Sequence, residues 1–510
     1  MPNMKKLACL LIIFLLCGVL VVTSVQFGQV QASQTVNGII FSDTTWTRAQ
    51  GPYTFSGPVA VNKGATLTIE AGTTIDIGYQ YYLQVNGTLE VLGSQNDPVQ
   101  FISGKIIFTE TANGWDEQSK TGCRIENANL TYTQILSSVA LKMVNSQING
   151  DIKVLDGSGK KSFFSNNNIM ATLEISNADI FDSSIGILKA TDSQLIRSTV
   201  KAGITGNSLI IDGCKIYGSG GTPYGAVSAM NLEGKVTITN SVISGGGTSY
   251  DLFFRTKYEV PAIEIEHGLV IISNNTITGN IKVSLENGDQ AIIFDNQIEG
   301  SIVASGSPII VQNNTVQGIS FGGSQIIVSD NLVVNGSGID VVSEGSVVIE
   351  RNLIRNNHQG IRCNSGGVTI RNNTLKDNRI ALYVSTPDCI EFIYNNILNC
   401  SDSIVLTTAS NFEAANNYWM PNDKVSIDNS IHDYYDDFNL GKVNYSPVLT
   451  EQNMQAMPDP NAKPPEVVLN EVDQNQVFPL QVALAAVVAA VVFAGAALAV
   501  IKDRKNKKRA

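Results

Sequence analysis

Between Thr35 and about Leu449, apolar and polar residues alternate in short runs such as "ATLTIEAGTTIDIG" and "YLQVNGTLEVLGS", each bounded by Gly or Asn. The apolar positions never recur at the 3.6-residue period of a helix, so the pattern predicts short strands joined by tight turns. From Ile238 onward the alternation becomes a repeat. Ile238, Ile272, Ile293, Val311, Val328, Ile349, Ile370 and Ile393 each stand three residues before an aligned polar position. That position holds Ser241 and then Asn275, Asn296, Asn314, Asn331, Asn352, Asn373, Asn396 and Asn417. Two residues later comes Ile243, Ile277, Ile298, Val316, Val333, Ile354, Leu375, Leu398 or Trp419. Successive asparagines lie 21, 18, 17, 21, 21, 23 and 21 residues apart.

Such a period is met physically if each lap closes on itself and every strand lies about 4.8 Å above its predecessor. Like then stacks on like. Columns of Ile and Val form a continuous interior, and an inward Asn at a turn joins the lap above to the lap below through its amide. The asparagines are therefore expected to be a structural ladder that satisfies backbone groups where the chain bends. Cys363 aligns with Val341, Val384 and Leu406 and is expected in the core. A leucine-rich repeat shares the length of the lap, but its leucine pattern is absent. The fold class expected is all-β, a right-handed parallel β-helix of roughly 17–20 coils.

Two other apolar stretches have a different character. Lys5 and Lys6 precede an apolar run from Leu7 to Val22, and Val30-Gln31-Ala32 offers small residues for cleavage, so residues 1–32 read as a signal peptide. Val482 to Ile501 is 20 residues without a polar side chain, followed by "KDRKNKKR". That length spans a bilayer core of roughly 30 Å, and the basic tail belongs on the cytoplasmic side. The expected organisation is a β-helix ectodomain over 33–450, an acidic stalk with prolines over 451–477, one C-terminal transmembrane helix over 478–501 and a cytoplasmic tail over 502–510. The protein is expected at the cell surface, with its N-terminal region outside and the membrane as one partner.

Charge sharpens this picture. Between the signal and the tail, 26 basic residues face 44 acidic ones. That excess disfavours nucleic acid or anionic lipid as partners. Cys123, Cys214, Cys363, Cys389 and Cys400 follow the signal, with no CxxC spacing and no pairing that can be assigned. Export makes Asn86, Asn129, Asn274, Asn313, Asn335, Asn372, Asn399 and Asn444 candidate N-glycosylation sites, each in an Asn-x-Ser/Thr triplet.

The "NNTI" laps resemble the right-handed parallel β-helix repeats of the pectin-lyase-like superfamily. The opening "TTWTRAQGPYTFSGPVAVNKGATLTIEAGTTIDIG" and the closing "NNYWMPNDKVSIDNSIHDYYDDFNLGKVNYSPVL" are similar to the first and last coils of microbial cell-surface members. A signal plus a C-terminal anchor with a basic tail resembles the organisation of archaeal surface proteins. The resemblance implies the fold, whereas activity must be read from a site. Polygalacturonase-like relatives carry paired aspartates, a Gly-His-Gly and an Arg-x-Lys. The nearest match here is Glu266-His267-Gly268, which lacks the first glycine. Clustered acids for calcium beside an arginine, as in pectate-lyase-like relatives, are not evident either. His267, His358 and His432 are far apart in sequence, so no cofactor is expected, and metalloenzyme-maturation factors of the same fold are a poorer comparison.

Candidate sites remain. Glu264 and Glu266 alternate with isoleucines on one outer strand face, a spacing compatible with acid/base work on a glycoside. Asp433, Asp436 and Asp437 in "HDYYDDF" offer oxygen ligands for calcium, or a solvated cap. The segment from Ile243 to Ile277 exceeds one lap and carries Tyr250, Phe253, Phe254, Arg255 and Tyr258, aromatic and basic residues suited to a sugar ligand or to packing the loop down. These readings predict an anchored surface protein, structural, adhesive or glycan-binding, more in keeping with a non-enzyme. A polysaccharide lyase or glycoside hydrolase without a recognisable motif is the alternative.

Overall fold

The computed structural model describes residues 33–218, 228–251, 256–342, 345–387, 389–463 and 465. The signal and transmembrane segments expected from the sequence lie outside the described residues. Among those described, no helix is long and apolar enough to cross a membrane.

Most laps contribute three short strands, and each of these pairs in parallel with its counterpart one lap on; in some laps one strand continues around a corner, as Ser184–Ile196 does. One lap shows the plan. Val347–Glu350 lies on face 2, Leu353–Arg355 on face 3 and Gln359–Cys363 on face 1. Their partners in the next lap are Val368–Arg371, Thr374–Lys376 and Ile380–Val384. The result is a parallel β-helix, the all-β solenoid expected. Its bore is filled by the inward residues. Ile238, Ile272, Ile293, Val311, Val328, Ile349 and Ile370 are all 0% exposed, and each such side chain contributes about 1.5–3 kcal/mol of transfer free energy. Cys363 joins this interior, between Val341 and Val384 in register.

The corner between faces 2 and 3 turns in two residues. The first adopts a left-handed conformation, as at Asn274, Asn313, Arg351 and Asn372 with φ of 53–54°. The second points inward and forms the ladder. Backbone N–H groups donate to the side-chain oxygen one lap on: Asn275 to Asn296, Asn296 to Asn314, Asn314 to Asn331, Asn331 to Asn352 and Asn352 to Asn373, at 2.9–3.0 Å. The doubled asparagine is thus two jobs side by side: a residue tolerant of positive φ, then an amide that bridges laps.

The ladder then departs from the expected column. Asn373 N donates to Asn395 Oδ1 (2.9 Å), and Asn395 N to Asn417 Oδ1 (2.8 Å). Asn396 is therefore not a rung. Its lap is one residue out of the expected alignment, so Phe392 and Ile397 take the core positions assigned to Ile393 and Leu398. Asn396 instead holds a later part of the chain: its Oδ1 accepts from Asn453 N, and its Nδ2 donates to Asn453 O, both at 2.9 Å. Thr374 Oγ1 donates to the carbonyl of Ala456, which is 0% exposed, and Asp459 N donates to Asp330 Oδ1 at 3.1 Å. Residues 453–459, the first part of the segment expected as a stalk, are thus a strap laid back over earlier laps.

The two ends of the bore close differently. Trp46, Tyr53 and Phe55 fill the first laps, with the Trp46 and Tyr53 rings stacked at 4.6 Å. At the far end, the short helix Lys424–Ser430, capped by Asp423, buries Ile427 over the final laps.

Candidate functional site

The early laps bring a column of outward side chains together on face 1. Register places Tyr82, Lys105, Gln134, Asp151, Thr172 and Ile187 on successive rungs. Beside them, at the corner between faces 3 and 1, stand Tyr79 (76% exposed) and Tyr132 (59% exposed). Tyr132 is at the corner because it carries the left-handed turn itself, with φ of 51°. Tyr79, Lys105, Tyr132, Gln134, Asn149 and Asp151 line an open groove of about 480 Å³. Gly150 keeps its floor clear: a Cβ there would lie 2.1 Å from the Thr133 carbonyl oxygen.

The polar groups of this groove are only partly engaged. Asp151 Oδ1 accepts from Thr172 N at 3.0 Å. Among the described residues, Lys105 has no ion-pair partner and Gln134 no side-chain hydrogen bond. Two exposed rings with an ammonium, an amide and a carboxylate between them suit a ligand that has both apolar C–H faces and hydroxyls. The sequence reading missed this site because these laps lack the asparagine that marks the later ones. The tyrosines and Lys105 align only after the register is known.

Farther along face 1 lies the outward rung sequence Glu264, Lys282, Val303, Ser320, Asp340, Arg362, Tyr383. Glu264 is bound to Lys282 at 2.7 Å, and this partner holds the lysine above its ordinary pKa. A carboxylate so neutralised is poorly suited to act as an acid or base. Glu266 is exposed on the same strand, Ile263–Glu266. Asp340 differs. Burial pushes its carboxyl above the ordinary range, against a smaller opposing pull from Arg362. Arg362 in turn lies 5.9 Å from the centre of the Tyr383 ring.

The other expected sites fare differently. The excursion after Ile243 contains an antiparallel hairpin, Gly247–Asp251 with Thr256–Val260, in which Tyr250 is opposite Lys257 and Ser249 opposite Tyr258. Phe253, Phe254 and Arg255 lie outside the described residues. The calcium candidates do not form a ligand cluster. Asp433, 4% exposed, accepts from the backbone of Tyr435 (3.0 Å) and Val443 (2.8 Å), Asp436 from Asp433 N, and Asp437 from Asn439. These carboxylates tie their own loop, the cap alternative. Of the glycosylation candidates, Asn335 and Asn399 are exposed at corners. Asn274, Asn313 and Asn444 donate their amides to Asn240, Asp295 and Glu413, while Asn372 and Asn86 accept from Asn453 and Thr109; Asn129 lies in the strand Ala128–Thr131.

Residues 263–445 match the family described as periplasmic copper-binding protein (NosD). No curated protein matches the chain. Among solved structures, the periplasmic alginate epimerase AlgG is 12% identical, with 77% of each chain covered and a TM-score of 0.16; a mutant form of it is 12% identical with a TM-score of 0.15. The donor set of the matched segment does not fit copper. Cys363 is buried with its thiol pushed up to about 11, as is that of half-buried Cys400, and His358 Nε2 is hydrogen-bonded to Arg379 at 2.7 Å. Among the described residues, no three His, Cys, Asp or Glu side chains stand close enough to share a metal ion. The strand pairing makes the chain a parallel β-helix protein, and over 263–445 it is similar to NosD.

Proposed function

We propose that this is an exported β-helix protein, anchored at the cell surface by its C-terminal apolar segment, that binds extended glycans in the groove of its early laps. The observation that carries this reading is the convergence of Tyr79, Tyr132, Lys105, Gln134 and Asp151, from successive laps, on one open groove. A sugar ring stacks its C–H face on tyrosine while its hydroxyls meet the lysine, amide and carboxylate. A groove running across rungs about 4.8 Å apart suits a chain better than a single sugar. The description of NosD as periplasmic supports export.

The excess of acid over base elsewhere favours neutral glycans, with Lys105 as the local exception. The test is a glycan array probed with the wild-type chain and with a Tyr79→Ala, Tyr132→Ala variant. Loss of binding by about tenfold or more is expected, since each ring contributes on the order of 1 kcal/mol. Unchanged binding would remove the groove as the site.

A second reading rests on Asp340. A half-buried carboxyl with a raised pKa, beside Arg362 and Tyr383, has the makings of a proton-transfer centre for an acidic sugar chain. It makes the chain a polysaccharide lyase or hydrolase. Incubation with acidic polysaccharides separates the two: new chain ends that vanish in Asp340→Asn support the enzyme, and intact polymer supports the binder.

A further inference from the structure

Residues 351–379 reverse the charge balance of the rest of the chain. They hold six basic residues and one acid, whereas 44 acidic residues face 26 basic ones between signal and tail. Arg351 and Arg371 are engaged with Asp330 and Glu350 near the corner between faces 2 and 3. Arg355 and Lys376 instead face each other on neighbouring rungs of face 3. Around the corner toward face 1, exposed Arg379 donates to Nε2 of exposed His358 at 2.7 Å. This corner is fixed from inside. Asn356 and Asp377 turn it with φ of 57° and 53°, and buried Asn357 donates its N–H to Oδ1 of buried Asn378 at 2.9 Å. Like charges on facing rungs destabilise a sheet. In other laps such charges are compensated: Lys153 meets Glu174, Lys282 meets Glu264 and Arg371 meets Glu350, each at 2.7 Å. Even Arg124 and Lys142, basic residues in register, have Glu90 and Glu126 at 3.0 and 2.7 Å. Here Asp377, 3.9 Å from Lys376, is the one acid of the two laps.

We propose that this corner, with Arg355, Lys376, His358 and Arg379, is a binding site for an acidic polysaccharide, whose carboxylates or sulfates bridge the two basic rungs about 4.8 Å apart. A local rule broken at a cost in stability is the mark of a functional surface, and a bound anion removes the repulsion. The guanidinium forks of Arg355 and Arg379 match a carboxylate or sulfate, and Lys376 adds a point charge on a flexible stem. The exposed amide of Asn356, between Arg355 and His358, suits the hydroxyls of the same chain. The shape of the patch selects the class of partner. On face 3 the positions of Arg355 and Lys376 become Val334 in the lap before and Leu398 in the lap after, so the positive charge there is two laps wide. A bilayer or a long duplex would touch many laps and meet the acidic excess of the rest. A thin chain whose anions are separated by uncharged groups touches only these two. The site is distinct from the groove of the early laps and does not use Asp340.

The experiment uses the full chain in non-ionic detergent at low salt. Its probes are hyaluronate, which carries carboxylates, and heparin, which carries sulfates, with neutral dextran, polyglutamate and single-stranded DNA for comparison. The wild type is expected to bind one or both acidic polysaccharides about tenfold or more tightly than the other three, and the preferred probe names the anion. Arg355→Gln, Lys376→Gln, Arg379→Gln should weaken that binding about tenfold or more. The same variant should melt no lower than wild type, because it relieves a like-charge contact. Tyr79→Ala, Tyr132→Ala should bind the acidic polymers as wild type does, which separates this site from the groove. Equal binding of polyglutamate or DNA would mean a surface for any polyanion and overturn the assignment to polysaccharide. Unchanged binding by the glutamine variant, a clearly lower melting temperature for it, or no binding of either acidic polysaccharide by the wild type would overturn the site.

Discussion

The corner between faces 2 and 3 is built twice, with different chemistry in the two halves of the solenoid. In the later half the rungs are asparagines from Asn275 to Asn417. In the earlier half the same corner is held by Ser146, Asn167, Ser183, Ser198, Cys214 and Ser241, each accepting from the lap before. The column is continuous, since Ser241 N donates to Asn275 Oδ1 at 2.9 Å. A serine hydroxyl takes that one N–H and returns its proton to its own lap, as Ser183 does to Phe181 O. An asparagine does more. Asn331 Nδ2 reaches Val311 O in the preceding lap, Ser329 O in its own and Asn352 Oδ1 in the next. Both satisfy the buried donor that a tight turn creates, but only the amide ties three laps together. The half with the simpler corner carries the groove. Regular amide laps are committed to holding themselves; the less regular ones leave side chains free for a ligand.

The largest expected effect comes from breaking a rung in the amide half. Asn352→Ala orphans Asn331 N in the interior and removes the Asn352 amide's hydrogen bonds to Val328 O, Glu350 O and Asn373 Oδ1. At about 1–3 kcal/mol for the buried orphan and about 0.5–1.5 kcal/mol for each further bond lost, the loss should be roughly 3–5 kcal/mol. Asn352→Ser should recover about half, because a hydroxyl can accept from Asn331 N as Ser198 Oγ accepts from Ser183 N. Ser183→Ala, in the other half, leaves Asn167 N unpaired and should cost only about 1–2 kcal/mol. Urea unfolding followed by circular dichroism ranks the three. Equal losses for Asn352→Ala and Ser183→Ala would dissolve the distinction between the halves.

How much of this was legible depends on which half is read. The amide half announced itself because one residue type recurs with aliphatic flanks, and seven of its eight rungs stand where spacing put them. Asn395 was missed because two adjacent asparagines fit the motif equally well, and only burial of Phe392 rather than Ile393 decides between them. A second column also went unread: Asn357 N donates to Asn378 Oδ1 at 2.9 Å, and Gly336 N to Asn357 Oδ1 at 2.9 Å. It was visible in principle, since Asn357 and Asn378 follow Asn352 and Asn373 by the same five residues. The serine half was legible at Asn167, Cys214 and Ser241, where apolar flanks such as Phe164 and Ile169 or Ile211 and Ile216 still frame the corner. It was not legible at Ser146, Ser183 or Ser198. Its laps shrink to 16, 15 and 16 residues between Asn167, Ser183, Ser198 and Cys214. Serine at a corner looks like serine anywhere. The groove inherits that obscurity.

A smaller effect should follow from loosening the strap, which lies only over the amide half. Asn396→Leu removes both hydrogen bonds to Asn453 without touching the ladder, whose rung is Asn395. A loss of roughly 1–2 kcal/mol is expected. Amide hydrogen exchange over 451–459 should rise about tenfold or more, while exchange at Asn331 and Asn352 stays unchanged. Faster exchange at the rungs would mean that the strap supports the laps beneath it, and the two would then count as one structural unit.

The smallest effect is a difference of sign between two carboxylates, one in each half. Asp182, at a serine-half corner, is held below the ordinary range mainly by its hydrogen bonds to Arg197. Its folded form binds the proton less tightly than its unfolded form. It therefore contributes stability above about pH 4 and loses it as pH falls through the folded value. Asp340 runs the other way, because burial holds its folded pKa above the unfolded one. Its contribution is most favourable when it is protonated, and declines as pH rises from about 4 through the raised folded value. Asp340→Asn should therefore melt no more than about 2 °C higher than wild type at pH 7 and level with it below pH 4. Asp182→Asn should melt slightly lower at pH 7, by less still, because solvent screens an exposed pair. A pH-independent gain in Asp340→Asn would mean that its carboxylate is not penalised by burial. The proton-transfer reading of face 1 would then lose its only physical support, and the glycan groove would stand alone.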